Sequence, residues 1–117
     1  MRQRNALART FCLQSPVLLM DEPFGALDAQ TKLQLEDLLL DLWSREQRTV
    51  VFITHDLAEA VALSDRVLVM SARPGRVVAD VTIDIPRPRS VRDLQKDARF
   101  HDIYAHLWEK LEEGMGT

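Results

Sequence analysis

Two short apolar runs, each ending in polar residues able to do chemistry, constrain this chain more than any other feature. Val17-Leu18-Leu19-Met20 leads into Asp21-Glu22, and Thr49-Val50-Val51-Phe52-Ile53-Thr54 leads into His55-Asp56. A continuous apolar run without polar alternation is the pattern of a strand buried on both faces. Between the two runs, Leu35, Leu38, Leu39, Leu42 and Trp43 recur at helical spacing. Asp28 is a good N-cap for that helix, which is expected to run to about Glu46.

The same alternation continues. Leu57 to Leu63 predicts a short helix and Arg66 to Met70 a third strand. Pro74-Gly75 marks a turn, after which Arg76 to Ile85 returns as extended chain. Upstream, residues 2–13 predict a helix through Leu7, Phe11, Ala8 and Cys12, stopped by Gln14-Ser15-Pro16. Strand and helix in alternation predict an α/β fold with a mainly parallel sheet flanked by helices. Pro86-Arg87-Pro88-Arg89 then breaks the pattern. Phe100, Ile103, Tyr104, Leu107, Trp108 and Leu111 predict an amphipathic helix from Phe100 to Glu113. The expected organisation is therefore a sheet domain over 1–85 and a C-terminal helical segment over 86–117.

Composition excludes some functions. A net charge of -3 argues against nucleic acid as the main partner, since such proteins are usually basic. One cysteine, Cys12, cannot form an internal disulfide, which fits a reducing compartment. No apolar run approaches the roughly 18 residues that span a bilayer. Arg2, Arg4 and Arg9 interrupt any signal-peptide-like stretch, so membrane association is expected to go through a partner.

Asp21 and Glu22 sit where open α/β sheets bind ligands, at the C-terminal edge of a strand. Desolvated carboxylates are costly unless they meet a cation, so the pair either faces solvent or holds one. Val17 to Glu22 matches the Walker B pattern of P-loop ATPases. There the aspartate helps hold a Mg²⁺ that bridges phosphate oxygens, and a following glutamate can orient or deprotonate the attacking water. The plainer reading of the residues is a solvated strand–loop junction.

Four motifs in order decide between these readings. Met1-Arg2-Gln3-Arg4 with Ala6 to Arg9, Leu18 to Pro23, Gly25-Ala26-Leu27-Asp28, and Ile53-Thr54-His55-Asp56 together resemble the second half of an ATP-binding-cassette (ABC) ATPase. The runs Glu59 to Val67 and Ser71 to Gly75 are also similar to that family. The resemblance implies a P-loop NTPase-type sheet of which this is the C-terminal half. It implies that Asp21 is the Walker B aspartate and a Mg²⁺ ligand, and that Glu22 is the catalytic carboxylate. Asp28 would close the D-loop, which crosses a dimer interface towards ATP, and His55 would be the switch histidine on the γ-phosphate. The implied cofactors are ATP and Mg²⁺. None of the four glycines begins a phosphate-binding loop, and no signature motif is present beyond what Met1 could end. Weak ATP binding and negligible hydrolysis are therefore expected of these residues alone.

Val81 to Arg89, with Phe100 and the helix of Ile103, Leu107 and Trp108, is similar to ATPase subunits of bacterial importers for nitrate, aliphatic sulfonates and taurine. The partners this implies are a membrane permease subunit, a second ATPase subunit in a homodimer and, indirectly, a substrate-binding protein. The implied place is the cytoplasmic face of the inner membrane, as a peripheral subunit. Two alternatives stay open: a non-transport ABC ATPase acting on nucleic acid or ribosomes, and an inactive interaction module. Arg87, Arg89, Arg92, Lys96 and Arg99 are expected to form a solvated face, or else to meet anionic lipid or a membrane subunit. His101 and His106, five apart, do not stack on one helix face and are not expected to bind zinc. Trp43 and Trp108 are expected in the core.

Overall fold

The computed structural model describes Arg9, residues 15–71 and residues 75–115. Arg9 is helical and exposed. The rest of the helix expected over 2–13, with Cys12, and the middle of the Ser71–Gly75 turn lie outside the described residues. The chain divides into two compact units, Met1–His55 and Asp56–Thr117.

The first unit is strand, helix, strand: β1 (Val17–Asp21), α1 (Ala29–Arg45) and β2 (Thr49–Ile53). β1 and β2 pair in parallel, from Val17 opposite Thr49 to Asp21 opposite Ile53. α1 starts as its sequence requires, with Asp28 accepting a 2.9 Å bond from the Thr31 amide. It ends at Glu46, whose amide donates to the Leu42 carbonyl. The Trp43 indole Nε1–H then donates to the Arg48 carbonyl at 2.9 Å, tying the helix to the turn before β2. Leu35, Leu39 and Leu40 are buried, while Leu38, Leu42 and Trp43 are half-buried, so the buried stripe is rotated from the expected one.

The expectation that β1 is buried on both faces is corrected. Leu18 and Met20 are buried, but Val17 and Leu19 are exposed, as are Val51 and Ile53 on the neighbouring strand. A run without alternation says that both faces are apolar; covering them takes other elements.

The second unit holds α2 (Leu57–Leu63), β3 (Arg66–Met70), β4 (Val77–Thr82), α3 (Val91–Leu94) and α4 (Ala98–Met115). Asp56 caps α2, accepting from the Glu59 amide at 3.2 Å, and Ala60 to Leu63 are buried. β3 and β4 are antiparallel, with an irregularity at Val69/Met70. The described strands thus form two separate two-stranded sheets, one parallel and one antiparallel, rather than the one mainly parallel sheet expected from sequence. The connection from Met70 to Val77 is too short for the crossover a parallel pair needs. A two-pronged ion pair, Arg66 Nε to Asp80 Oδ1 at 2.8 Å and Nη2 to Oδ2 at 2.6 Å, joins the two strands. α4 packs against α2, β3 and β4, with Phe100 and Leu107 buried. Tyr104 stacks on Phe100 and meets Trp108 edge-on, and Trp108 is exposed rather than core. The four-residue α3, capped by Ser90, is too short to show a period in sequence.

The basic stretch after Pro86 also differs from expectation. Arg92, Lys96 and Arg99 face solvent, but Arg87 and Arg89 turn inward onto backbone carbonyls. An arginine head is drawn there by acceptors that the sequence does not display.

Candidate functional site

Parallel pairing puts the C-terminal ends of β1 and β2 side by side. Asp21 is the last residue of β1 and lies opposite Ile53, the last of β2. The residues that follow, Glu22 on one strand and Thr54-His55 on the other, therefore leave the sheet at one edge. The Glu22 amide extends the pairing by one more bond, donating to the Ile53 carbonyl at 2.7 Å.

That bond has a conformational cost. Glu22 has φ of 47°, in the left-handed region that a residue with a Cβ rarely visits. Such strain, on the order of 1–2 kcal/mol, persists only where the surroundings over-determine it. Here the Glu22 backbone is held on both sides, by Ile53 before the turn and by the Gly25 amide on the Glu22 carbonyl at 3.2 Å after it. The Leu27 amide on the Phe24 carbonyl continues the turn. Phe24, 1% exposed, anchors the loop from below.

The twisted backbone presents the Glu22 carboxylate to His55. Glu22 Oε1 lies 3.0 Å from His55 Nε2. The histidine side chain is 93% exposed and the glutamate 38%, so both stand at a solvent-facing rim. At that exposure the contact itself stabilises the fold little. The separation suits shared proton or hydrogen-bond chemistry on a small ligand.

Of the four residues singled out from sequence, the structure brings Glu22 and His55 into contact. Asp21, also exposed, ends the strand beside them. Asp28 is engaged elsewhere: Oδ1 accepts from the Thr31 amide and Oδ2 from the Thr31 hydroxyl at 3.1 Å. Those bonds, the amide first, hold its carboxyl below the usual aspartate value of 3.8. Among the described residues, no group of three or more histidine, cysteine or acidic side chains is placed to hold a metal ion. His101 Nε2 instead meets the Gln95 carbonyl at 2.8 Å. Sequence reasoning passed over Phe24, whose only signal was being a large apolar residue in a polar loop. It also passed over the left-handed Glu22, for which a glutamate gives no signal at all.

No protein-family model matches the chain. Relatives do. A putative ATP-binding protein of Brucella melitensis is 58% identical over 111 residues, covering 95% of this chain and 46% of the relative. An uncharacterized ABC transporter ATP-binding protein of Methanocaldococcus jannaschii is 55% identical over 95 residues, covering 81% of this chain and 36% of the relative. The aliphatic sulfonates import ATP-binding protein of Bacillus cereus is 40% identical over 114 residues, covering 97% of this chain and 44% of the relative. The chain thus spans less than half the length of the relatives it matches. Similarity of this depth over nearly every residue, with the motif residues meeting at one sheet edge, makes the chain a homologue of the ATP-binding proteins of ABC transporters.

Proposed function

We propose that this chain is the part of an ABC importer's energy-coupling ATPase that supplies the hydrolytic residues. The observation that carries this reading is the 3.0 Å contact between Glu22 and His55 at the shared C-terminal edge of two parallel strands. Mg-ATP, when bound, supplies the phosphoanhydride and the charge that makes it reactive. Asp21 fits a Mg²⁺ ligand: it is an exposed hard oxygen donor beside the other two, and Mg²⁺ takes one or two carboxylates and leaves its other positions to phosphate and water. Glu22 orients the attacking water and accepts its proton. His55 donates a hydrogen bond from its ring to a phosphate oxygen or to that water. Asp28, with the D-loop it closes, lies on the surface that meets a second ATPase subunit.

The finer parts of the reading extend the same proposal to the intact subunit. The fold of the intact subunit is a P-loop NTPase-type sheet, in which further strands and helices cover the bare face of β1 and β2. Residues 1–85 belong to that ATPase domain and 86–117 to a C-terminal helical extension. The subunit works as a homodimer beneath membrane permease subunits, at the cytoplasmic face, and serves a substrate-binding protein only indirectly. Among the described residues no helix is long and apolar enough to cross a membrane. The transported solute is nitrate, a sulfonate, taurine or a similar small solute; the name of the sulfonate-import relative supports the sulfonate part of this reading.

The test is Glu22→Gln in an ATPase of the relatives' full length that carries this segment. ATP binding is expected to survive while turnover falls at least a hundredfold, on the scale general-base catalysis contributes. Turnover within twofold of the parent would remove Glu22 from this role.

A further inference from the structure

α2 is a helix of seven residues, shorter than the length at which isolated helices hold together in water. Its N-terminus is provided for locally. Asp56 caps it, and Glu59 places a negative charge in the first turn, where the helix dipole favours one. Its C-terminus is not: the last turn carries no basic residue, and the last carbonyls of a helix have no partner within it. Ala60 to Leu63 are nevertheless buried, where carbonyls left bare would be costly.

The chain that follows β4 supplies what is missing. The Ile83 amide donates to the Asp65 carbonyl at 2.9 Å, and from there the residues alternate with the period of an extended segment. Ile83 and Ile85 are buried and Arg87 and Arg89 half-buried, while Asp84, Pro86 and Pro88 between them are exposed. Proline, which has no N–H to donate and a fixed φ, thus occupies only outward positions. Arg89 Nη1 donates to the carbonyls of Ser64 at 2.7 Å, Ala62 at 3.2 Å and Val61 at 3.5 Å. Its other edge donates to its own segment, Nη2 to Ile85 at 2.9 Å and Nε to Ile85 at 3.2 Å. Arg87 takes the one remaining carbonyl, Leu63, through Nη2 at 2.7 Å, and its Nε meets Asp65 at 2.9 Å. The carbonyls of four consecutive residues, 61 to 64, are thus satisfied by two guanidinium groups. Only a planar fork with donors on both edges can bridge the helix end and the Ile85 strand together; a lysine ammonium is a single point. Burial, and then the neighbouring charge of Arg87, lower Arg89 from the usual arginine value of 12.5 to about 10. It is still charged at neutral pH, and its carbonyl partners favour that form.

We propose that residues 83–89 form a strap that serves α2 as a C-cap from outside the helix, so that α2 is helical only while Arg89 and Arg87 hold its end. Ile83 and Ile85 dock the strap, and the two arginines do the capping. Every group involved belongs to the unit Asp56–Thr117. The strap crosses the boundary at residue 85 expected from sequence, so residues 86–89 are part of the fold of the helix before them and more than a tether to α4. The strap does not depend on the function proposed above.

The experiment uses the whole chain and needs no nucleotide. Amide hydrogen exchange is followed by NMR in the parent, Arg89→Ala, Arg89→Lys, Arg87→Ala and Arg66→Ala. The last removes the two-pronged ion pair to Asp80 in the same unit, and so controls for the loss of any well-bonded arginine. In the parent the amides of residues 60–64, whose bonds run back along α2, are expected to be protected. Arg89→Ala and Arg89→Lys are expected to speed their exchange by about tenfold or more, the scale of losing hydrogen bonds to a charged group. Amides of β3 and β4 are expected to change by less than about threefold, because the opening is local. Arg87→Ala, the milder change, is expected to give the same pattern more weakly, and it serves if Arg89→Ala does not fold. Arg66→Ala is expected to leave the α2 amides as they are in the parent. Unchanged exchange in α2 on loss of Arg89 or Arg87 would overturn the strap. So would equal acceleration throughout the unit, or an effect of Arg66→Ala on α2 as large as that of Arg89→Ala, since general destabilisation would then account for it. Return of parent exchange in Arg89→Lys would overturn it too, since charge alone would suffice.

Discussion

Glu22 is asked for two things that conflict: a left-handed backbone, which glycine serves best, and a carboxylate beside His55, which glycine lacks. The sequence therefore keeps a strained residue where an unstrained one would fold more easily. The strain can be measured. Glu22→Gly is expected to be more stable than Glu22→Ala by about 1 kcal/mol in urea denaturation, because alanine keeps the Cβ that makes the conformation unfavourable. At an ordinary position the order would be reversed. Equal stabilities would mean that Glu22 is not strained in solution. The residue types at 21, 22 and 55 were legible from the sequence because each follows an apolar run. The backbone twist at Glu22 was not, because it arises from bonds to Ile53 and Gly25.

Among the elements, α1 and the loop before it make the sharpest predictions. The Asp28 cap depends on a carboxylate whose folded pKa lies below the unfolded one. Its contribution is thus fully present above the usual aspartate value and is lost as pH falls through the lower, folded value. Thermal unfolding of Asp28→Asn, which keeps the oxygen acceptor but not the charge, is expected to lose this acid-range loss of stability; an identical pH profile would count against the cap. Phe24 gives a larger effect. As a buried side chain beneath the loop, it is expected on truncation in Phe24→Ala to cost about 3 kcal/mol or more. The same change should broaden the NMR signals of Glu22 and His55, since the loop that aims Glu22 would lose its anchor. The boundaries of α1, α2 and β3 followed closely from caps, leucine spacing and β-branched runs. Helix α3 and the antiparallel turn of β4 did not, since one is four residues long and the other depends on which strand β3 finds as its neighbour.

For the whole molecule, the exposed apolar faces matter most. Leu19 is 69% exposed on a parallel pair, a type of sheet normally covered on both sides. With Val17, Val51 and Ile53 it forms an apolar face open to association. In this chain Leu19→Lys is expected to change stability by less than about 0.5 kcal/mol and to reduce self-association in sedimentation. A loss of several kcal/mol would mean that the face is covered in solution. The sequence by itself determined where α1, α2 and β3 begin, which runs are apolar, and that two acids and a histidine follow apolar runs, because caps, spacing and apolar runs act over a few neighbouring residues. Only the tertiary structure decided that Glu22 meets His55 at 3.0 Å, that one face of β1 is bare, and that Arg87 and Arg89 point inward. Each of these depends on partners distant in sequence, and an apolar or basic residue does not declare in advance which surface or carbonyl it will meet.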